Sequence, residues 1–228
     1  MAIDKNMDER QALILKTIIA EHVKTGVPVS SAYLVDNYNL DISSATVRNV
    51  MMALEEAGYI YQPHTSAGRV PTEKAYKWYI QGLSAEQVPV KDQRQLQATL
   101  GSAAELELML KKTAKFLAAS SGLAAFCTWR DYNVYCTGIS NLLINPELVF
   151  NFSNIVDSLD EIISNNQEYF EDEPKILVGS DGPFGNFCSA VVSKYKLGEH
   201  TGVFGLLGPL RIDYARSLAL MKYVKANL

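Results

Sequence analysis

Apolar residues recur at helical spacing in the first half of the stretch 42–72, which organises our interpretation of the whole chain. Val47, Val50, Met51 and Leu54 fall at i, i+3, i+4 and i+7, the pattern of one buried helix face. The opposite face carries short polar side chains and one guanidinium: Ser44, Thr46, Arg48 and Asn49. Such side chains contact phosphates and base edges in a DNA major groove. The pattern therefore predicts a helix with one face for a core and another for nucleic acid.

A small hairpin is predicted directly after this helix. Gly58 is a typical residue to end a helix, and residues 59–61 form a short predicted strand that bends off at Pro63. A polar loop follows, and the return strand begins at Arg69. The loop contains His64, Thr65 and Ser66. A helix followed by a hairpin with a basic tip is the arrangement of a winged helix-turn-helix.

Helical periodicity also covers 8–25, a short segment from Ser30 or Ser31 to about Asn37, and 73–81. Three helices and then a hairpin fit the plan of a DNA-binding helix-turn-helix. Units of this kind also serve as dimerisation or protein-docking modules, so the pattern alone leaves that alternative open.

Residues 82–91 are predicted to be a linker, because Gly82, Ser84 and Pro89 break helix and strand alike. The linker divides the chain into a domain over 1–81 and a domain over 92–228. Residues 92–119 form one long predicted helix, which either pairs with its copy in a dimer or packs on the sheet of its own domain. Short apolar runs and two helices beyond Ser120 predict an α+β fold.

Length and hydropathy exclude a membrane-spanning protein at the level of sequence. The chain has 228 residues, of which 48% are hydrophobic, enough for one large or two small packed cores. No apolar run approaches the ~20 residues of a membrane span, and charged residues interrupt the N-terminal stretch. We therefore expect a cytoplasmic protein that contacts no membrane.

The overall charge does not suggest a globally basic nucleic-acid binder, because the formal net charge is −4. The first 81 residues contain eight lysines and arginines against nine acids. A DNA footprint must therefore come from segregated charge, at Arg48, Arg69, Lys74 and Lys77. Few phosphate contacts predict weak binding by one chain, so we expect a homodimer.

Catalytic and metal-binding patterns are sparse. The three cysteines form no C-x-x-C pair, and the three histidines have no second ligand at metal-binding spacing. The sequence contains neither the Walker A motif nor the G-x-G-x-x-G motif, the two glycine-rich phosphate-binding motifs. We expect no enzyme activity, no metal and no cofactor, although a nucleophile pair of Cys136 or Cys188 with His200 stays open.

Four segments carry a resemblance to the heat-inducible transcription repressor family, HrcA. They read ERQALILKTIIAEHVKTGVPVSS, SSATVRN, LEEAGYIYQPHTSAGRVPT and GLLGPLRIDYAR. The first three cover most of residues 8–81, and QPHTSAGRVPT is long and unusual. Residues 138–147 also resemble the family's G-x-x-N-L-L-x-x-P-E stretch.

The resemblance implies a winged helix-turn-helix that binds double-stranded DNA at an inverted-repeat operator upstream of chaperone operons. It places Ser44, Thr46, Arg48 and Asn49 on the recognition helix, and His64, Thr65, Ser66 and Arg69 in the wing. It further implies a GAF-like domain with an inserted dimerising segment, and the chaperonin GroEL as a partner. The family's central section is largely missing here, between Ala125 and Tyr135, so the GAF-like domain is expected to be shortened.

Individual roles follow from chemistry. Asn49 suits a bidentate contact with adenine, and Arg48 suits a guanine, a phosphate or an internal salt bridge to an acid of the first helix. Arg69 suits a phosphate or the flanking minor groove. The function expected is a dimeric repressor of stress genes that heat releases. Two alternatives are a ligand-sensing regulator with a GAF-like pocket and a winged-helix module that binds protein rather than DNA.

Overall fold

The computed structural model describes residues 7–38, 40–101, 105–129, 133–142 and 154–228. The chain forms two compact units, Met1–Leu83 and Ser84–Leu228. The assignment of a DNA-binding domain to 1–81, a linker to 82–91 and an effector domain to 92–228 stays a prediction.

The described part of the N-terminal unit contains four helices and a two-stranded antiparallel hairpin. Its elements are α1 (Glu9–Thr25), α2 (Ser31–Asn37), α3 (Ser44–Glu56), β1 (Ile60–Tyr61), β2 (Val70–Pro71) and α4 (Glu73–Gln81). Each helix begins after a side chain that accepts a hydrogen bond from the first turn: Asp8, Ser30, Ser43 and Thr72. Gly26 ends α1 with a left-handed φ of 70°. These caps explain why the predicted helices begin and end where they do.

The core of this unit lies between α1, α3 and α4. Ile14, Leu15, Ile18 and Ile19 of α1 are fully buried, as is Val47 of α3. Burying each such side chain stabilises the fold by about 1.5–3 kcal/mol. Two polar contacts supplement this packing. The Nδ1 atom of His22 lies 2.8 Å from the Tyr76 hydroxyl, which joins α1 to α4.

The second polar contact joins α1 to α2 and to the residue that follows α2, Tyr38. The buried carboxylate of Glu21 accepts hydrogen bonds from the hydroxyls of Tyr33 and Tyr38, each at 2.7 Å. These bonds fix the position of α2 and therefore of the turn that leads into α3.

The C-terminal unit is built on a five-stranded antiparallel sheet in the order β4-β3-β7-β6-β5. Its elements are α5 (Val90–Gly101), α6 (Leu106–Ser121), β3 (Ala124–Trp129), β4 (Asn133–Thr137), α7 (Leu159–Asn165), β5 (Lys175–Val178), β6 (Cys188–Leu197), β7 (His200–Pro209) and α8 (Tyr214–Asn227). The α+β prediction is confirmed. The predicted turn at 130–132 and residues 143–147 of the family-like stretch lie outside the described residues.

One detail of the prediction is wrong. The helix expected over 92–119 is divided into α5 and α6, because Glu105 has an extended backbone (φ −109°, ψ 137°) directly before α6. The last two residues of the predicted linker, 90 and 91, lie in α5, which begins at Val90.

Successive side chains of each strand point to opposite faces of the sheet, and each face packs against other parts of the unit. Phe126 and Val192 point into an apolar cluster with Leu159, Ile163 and Phe170. The other face meets the terminal helix α8, where the hydroxyls of Ser189 and Tyr214 lie 2.8 Å apart. A sheet with both faces covered is consistent with the expected GAF-like domain. Within the described ranges, no helix is both long and apolar enough to cross a membrane.

Candidate nucleic-acid interface

Helix α3 buries one side and exposes the other. Val47, Met51 and Leu54 face the core, at 4% exposure or less. Arg48 and Asn49 are exposed on the opposite side. The structure therefore brings these two predicted site residues together on one solvent-facing surface of α3.

Ser44 and Thr46 were predicted on the same surface, but both are half-buried and engaged in local contacts. The Ser44 hydroxyl donates to the Ser31 hydroxyl of α2 at 3.3 Å. The Thr46 hydroxyl lies 2.9 Å from that of Ser43, the residue that caps α3. These contacts fix α3 against α2 and hold its first turn.

The hairpin presents its polar tip to solvent. Tyr61 of β1 pairs with Val70 of β2, and the predicted wing residues His64, Thr65 and Ser66 are exposed between the strands. Ser66 has a left-handed φ of 74°. The side-chain amide of Gln62 donates to the Ala67 carbonyl at 2.9 Å, which closes the loop.

The backbone segment between α1 and α2 is hydrogen-bonded to the hairpin directly before β2. Val29 and Arg69 exchange two backbone hydrogen bonds of 2.9 and 2.8 Å. The preceding Gly68 approaches this segment so closely that an added Cβ would lie 2.5 Å from the Val29 carbonyl carbon. Gly68 is therefore the residue that lets the hairpin pack against the segment between α1 and α2.

Arg69 is engaged within the protein. Its guanidinium pairs with Glu55 of α3 at 2.9 Å, and only 18% of the arginine side chain is exposed. The structure therefore places the Arg69 side chain between the hairpin and α3, rather than at the hairpin tip.

A cleft of about 240 Å³ separates α3 from the hairpin. Arg48 lines it from α3, Ser66 from the hairpin tip, and Ser30 and Ser31 from the start of α2. The predicted recognition helix and the predicted wing thus border one polar concavity. The hydroxyl groups and the guanidinium in this cleft suit an anionic oxygen.

Fewer basic side chains are available to contact DNA than the four that the sequence suggests. Lys74 donates to the Ala57 carbonyl at 2.9 Å, and Lys77 pairs with Glu73 at 2.7 Å. Arg48, in contrast, forms no ion pair with any residue that the structure describes. The alternative of an internal salt bridge from Arg48 to α1 is therefore not seen in this part of the chain.

Sequence reasoning missed two exposed residues of α3, Ala45 and Met52. Both lie three or four positions from Arg48 and Asn49, so the helical spacing itself contained the signal. Met52 is 49% exposed, unlike the three buried apolar residues of the same helix.

The structure argues against the nucleophile pair left open by the sequence. Cys188 pairs with Pro209 and His200 with Leu197, at opposite ends of the β6–β7 hairpin. Nine residues of strand separate the two levels by roughly 30 Å. Burial also raises the pKa of Cys188 to about 12 and that of Cys136 to about 11, which keeps both thiols protonated near neutrality.

Fold and site together define an α+β protein whose N-terminal helix-and-hairpin unit exposes an arginine and an asparagine on one helix. The family model described as the HrcA protein C-terminal domain matches residues 72–218, well over half of the sequence. The chain belongs to the HrcA family.

Individual relatives agree with this assignment. The heat-inducible transcription repressor HrcA of Acidothermus cellulolyticus is 43% identical over 113 residues, which are 49% of this chain and 33% of that protein. The protein of the same name from Thermobifida fusca is 41% identical over 120 residues, or 52% of this chain and 35% of its own length. The matched region thus spans about a third of these relatives.

A crystal structure described as a hypothetical protein has the same fold. It matches 97% of both chains with a TM-score of 0.77 at 18% sequence identity.

Proposed function

We propose that the chain is a transcriptional repressor whose N-terminal unit is a winged helix-turn-helix for double-stranded DNA. One observation carries the proposal: Arg48 of α3 and Ser66 of the hairpin tip line the same polar cleft. A recognition helix and a wing act on one duplex only if they lie side by side. The names of the matched relatives, heat-inducible transcription repressors, support the same function.

The proposed mechanism is occlusion of a promoter by a homodimer bound to an inverted repeat. Arg48 contributes the positive charge, and Asn49 contributes paired donor and acceptor groups for a base edge. His64, Thr65 and Ser66 contact the backbone from the exposed hairpin tip. Ser44, Thr46 and Arg69 act indirectly, because their side chains hold α3 and the hairpin in place.

Fluorescence anisotropy tests the proposal. One duplex carries the inverted repeat found upstream of the host's chaperonin operon, and the other carries the same bases scrambled, each over a salt series. Preferential binding to the repeat by two chains per duplex is the expected result. Equal binding to both duplexes contradicts sequence-specific repression and leaves only nonspecific phosphate binding. Binding to neither duplex favours the protein-docking alternative.

Arg48→Ala is the informative variant, since it should weaken binding and lower the salt slope by about two, one for each chain on the duplex. Arg94→Ala removes the same charge from an exposed position on α5 and serves as the control.

The homodimer, release by heat and the chaperonin GroEL as a partner rest on the family resemblance. Light scattering with and without duplex tests the dimer. Repeating the anisotropy titration with purified chaperonin tests the partner, which should raise the fraction of chain that binds the repeat. A temperature series on the preformed complex tests release by heat.

Ligand sensing is a second candidate, supported by a polar cavity of about 570 Å³ in the C-terminal unit. The cavity lies at the end of the β6–β7 hairpin, where Trp129, Lys194 and His200 line it. Thermal-shift screening against small metabolites tests this role. A ligand that raises the melting temperature and changes DNA affinity would support it.

A further inference from the structure

Five side chains of α3 are exposed. Ala45, Arg48, Asn49 and Met52 form one patch, and Glu56 follows Met52 by one turn at the end of the helix. Neighbours within the patch are three or four residues apart, which places them side by side on a helix. Ala45 and Met52 lie seven residues apart, about 10 Å along the helix axis. That length corresponds to about three base-pair steps of 3.4 Å.

The patch has an apolar side chain on each side of an amide. Asn49 lies four residues after Ala45 and three before Met52. Apolar side chains recognise the C5-methyl group of thymine in the major groove, and asparagine pairs bidentately with adenine. Ala45, Asn49 and Met52 therefore all favour contacts with A·T base pairs.

Arg48 belongs to a different part of the interface. It lines the cleft toward the hairpin tip together with Ser31 and Ser66. Hydroxyls and a guanidinium around a concavity suit a phosphate oxygen, which fixes position without reading sequence. Base recognition is then left to the row formed by Ala45, Asn49 and Met52.

We propose that α3 reads a short A·T-containing step, with Asn49 on an adenine and with Ala45 and Met52 on flanking thymine methyl groups. The proposal rests on the DNA-binding function above and assigns its sequence specificity. Exposure of Met52 supports it, because the other methionine of α3, Met51, is 4% exposed while Met52 is 49% exposed.

The experiment starts by selecting duplexes from a random 30-base-pair pool with the full chain. Each thymine of the selected half-site is then replaced in turn by deoxyuridine, which removes only the methyl group. We expect one or two positions at which this replacement weakens binding about three- to five-fold, as expected for one buried methyl. Met52→Ala changes both half-sites of the dimer complex, so it should weaken binding to the thymine duplex by about the square of that factor and abolish the difference at one position.

Two variants control for indirect effects. Met52→Leu keeps an apolar side chain and should retain the thymine preference. Leu108→Ala truncates a side chain of similar exposure, 44%, on α6 and should leave the preference unchanged. Melting temperatures of all variants check that α3 stays folded.

The outcomes separate the two levels of the proposal. Failure to enrich any sequence overturns the proposed function, sequence-specific binding of DNA. Enrichment of a sequence that tolerates uracil at every position overturns thymine recognition but leaves DNA binding intact. Undiminished uracil sensitivity in Met52→Ala excludes Met52 as a methyl contact.

Discussion

Arg69 and Glu55 join the hairpin to the last turn of α3. The Nε and Nη2 atoms of the arginine each lie 2.9 Å from Oε2 of the glutamate. Oε1 of the same carboxylate accepts the backbone N–H of Gln62 at 3.1 Å. One carboxylate thus contacts both sides of the hairpin, and this contact sets the position of the hairpin relative to α3.

We expect Arg69→Ala and Glu55→Ala each to destabilise the N-terminal unit by about 0.5–1 kcal/mol, because the pair is partly exposed. The double variant should cost less than the sum, since both changes remove the same contact. Urea unfolding followed by Trp78 fluorescence, in a Trp129→Phe background, reports on this unit. The neighbouring exposed acid Glu56 provides the control, Glu56→Ala. Strictly additive costs would show that the pair is not coupled.

Gly68→Ala should be more damaging than any surface change in the hairpin. The new Cβ would lie 2.5 and 2.6 Å from backbone atoms of Val29, and backbone cannot rotate away. Overpacking of this kind costs about 1–3 kcal/mol, and we expect lower stability together with weaker DNA binding. Gly82→Ala, with no atom within 4 Å of its added Cβ, is the matched control. Equal stability of the two variants would contradict the close packing of the hairpin.

Local signals in the sequence account for most of the secondary structure. Each helix of the N-terminal unit starts at a Ser, Thr or Asp cap, and Gly26 ends α1. Gly101 lies inside the helix predicted over 92–119, but the apolar spacing on both sides of it favoured one continuous helix.

Contacts between distant segments could not be predicted in this way. The sequence indicated that Arg48 and Asn49 are exposed, because they fall opposite the apolar stripe of α3. It gave no sign that Arg69 binds Glu55, fourteen residues away, or that Ser44 binds Ser31. Those contacts depend on how α2, α3 and the hairpin pack, which periodicity does not specify.

The stability of the N-terminal unit should depend on acid through Glu21. Hydrogen bonds from Tyr38 and then Tyr33 lower the pKa of Glu21 below its ordinary 4.5. Because the folded pKa is lower than the unfolded one, the stabilisation is complete above pH 4.5 and is lost as the pH falls through the folded value. We expect melting temperatures to drop below about pH 4.5.

Glu21→Gln tests the assignment, since it removes the titrating group but keeps the shape. Its melting temperature should be lower than that of the natural chain at pH 7 and should vary less between pH 3 and 6. Glu9→Gln changes an exposed acid of the same helix and serves as the control. An acid dependence identical to that of the natural chain would assign the effect to other carboxylates.

Arg216 should stabilise the C-terminal unit by neutralising a buried acid. Its Nη2 atom lies 3.2 Å from Oδ2 of Asp92, and its Nε donates to the Ser120 carbonyl at 2.9 Å. Asp92 is only 7% exposed, so removing the guanidinium leaves a carboxylate without its cation in a poorly hydrated site. We expect Arg216→Ala to cost about 2–3 kcal/mol, less than for a fully buried pair because 37% of the arginine side chain is exposed.

The Asp92→Asn change separates charge from packing in the same contact. If the uncompensated carboxylate causes most of the loss, Asp92→Asn combined with Arg216→Ala should be more stable than Arg216→Ala alone. Trp129 fluorescence in a Trp78→Phe background, followed through urea unfolding, measures these differences. A double variant no more stable than Arg216→Ala would instead mean that the guanidinium acts mainly through its bond to the Ser120 carbonyl. In that case Arg216→Lys, which keeps the charge but not the planar donors, should be nearly as unstable as Arg216→Ala.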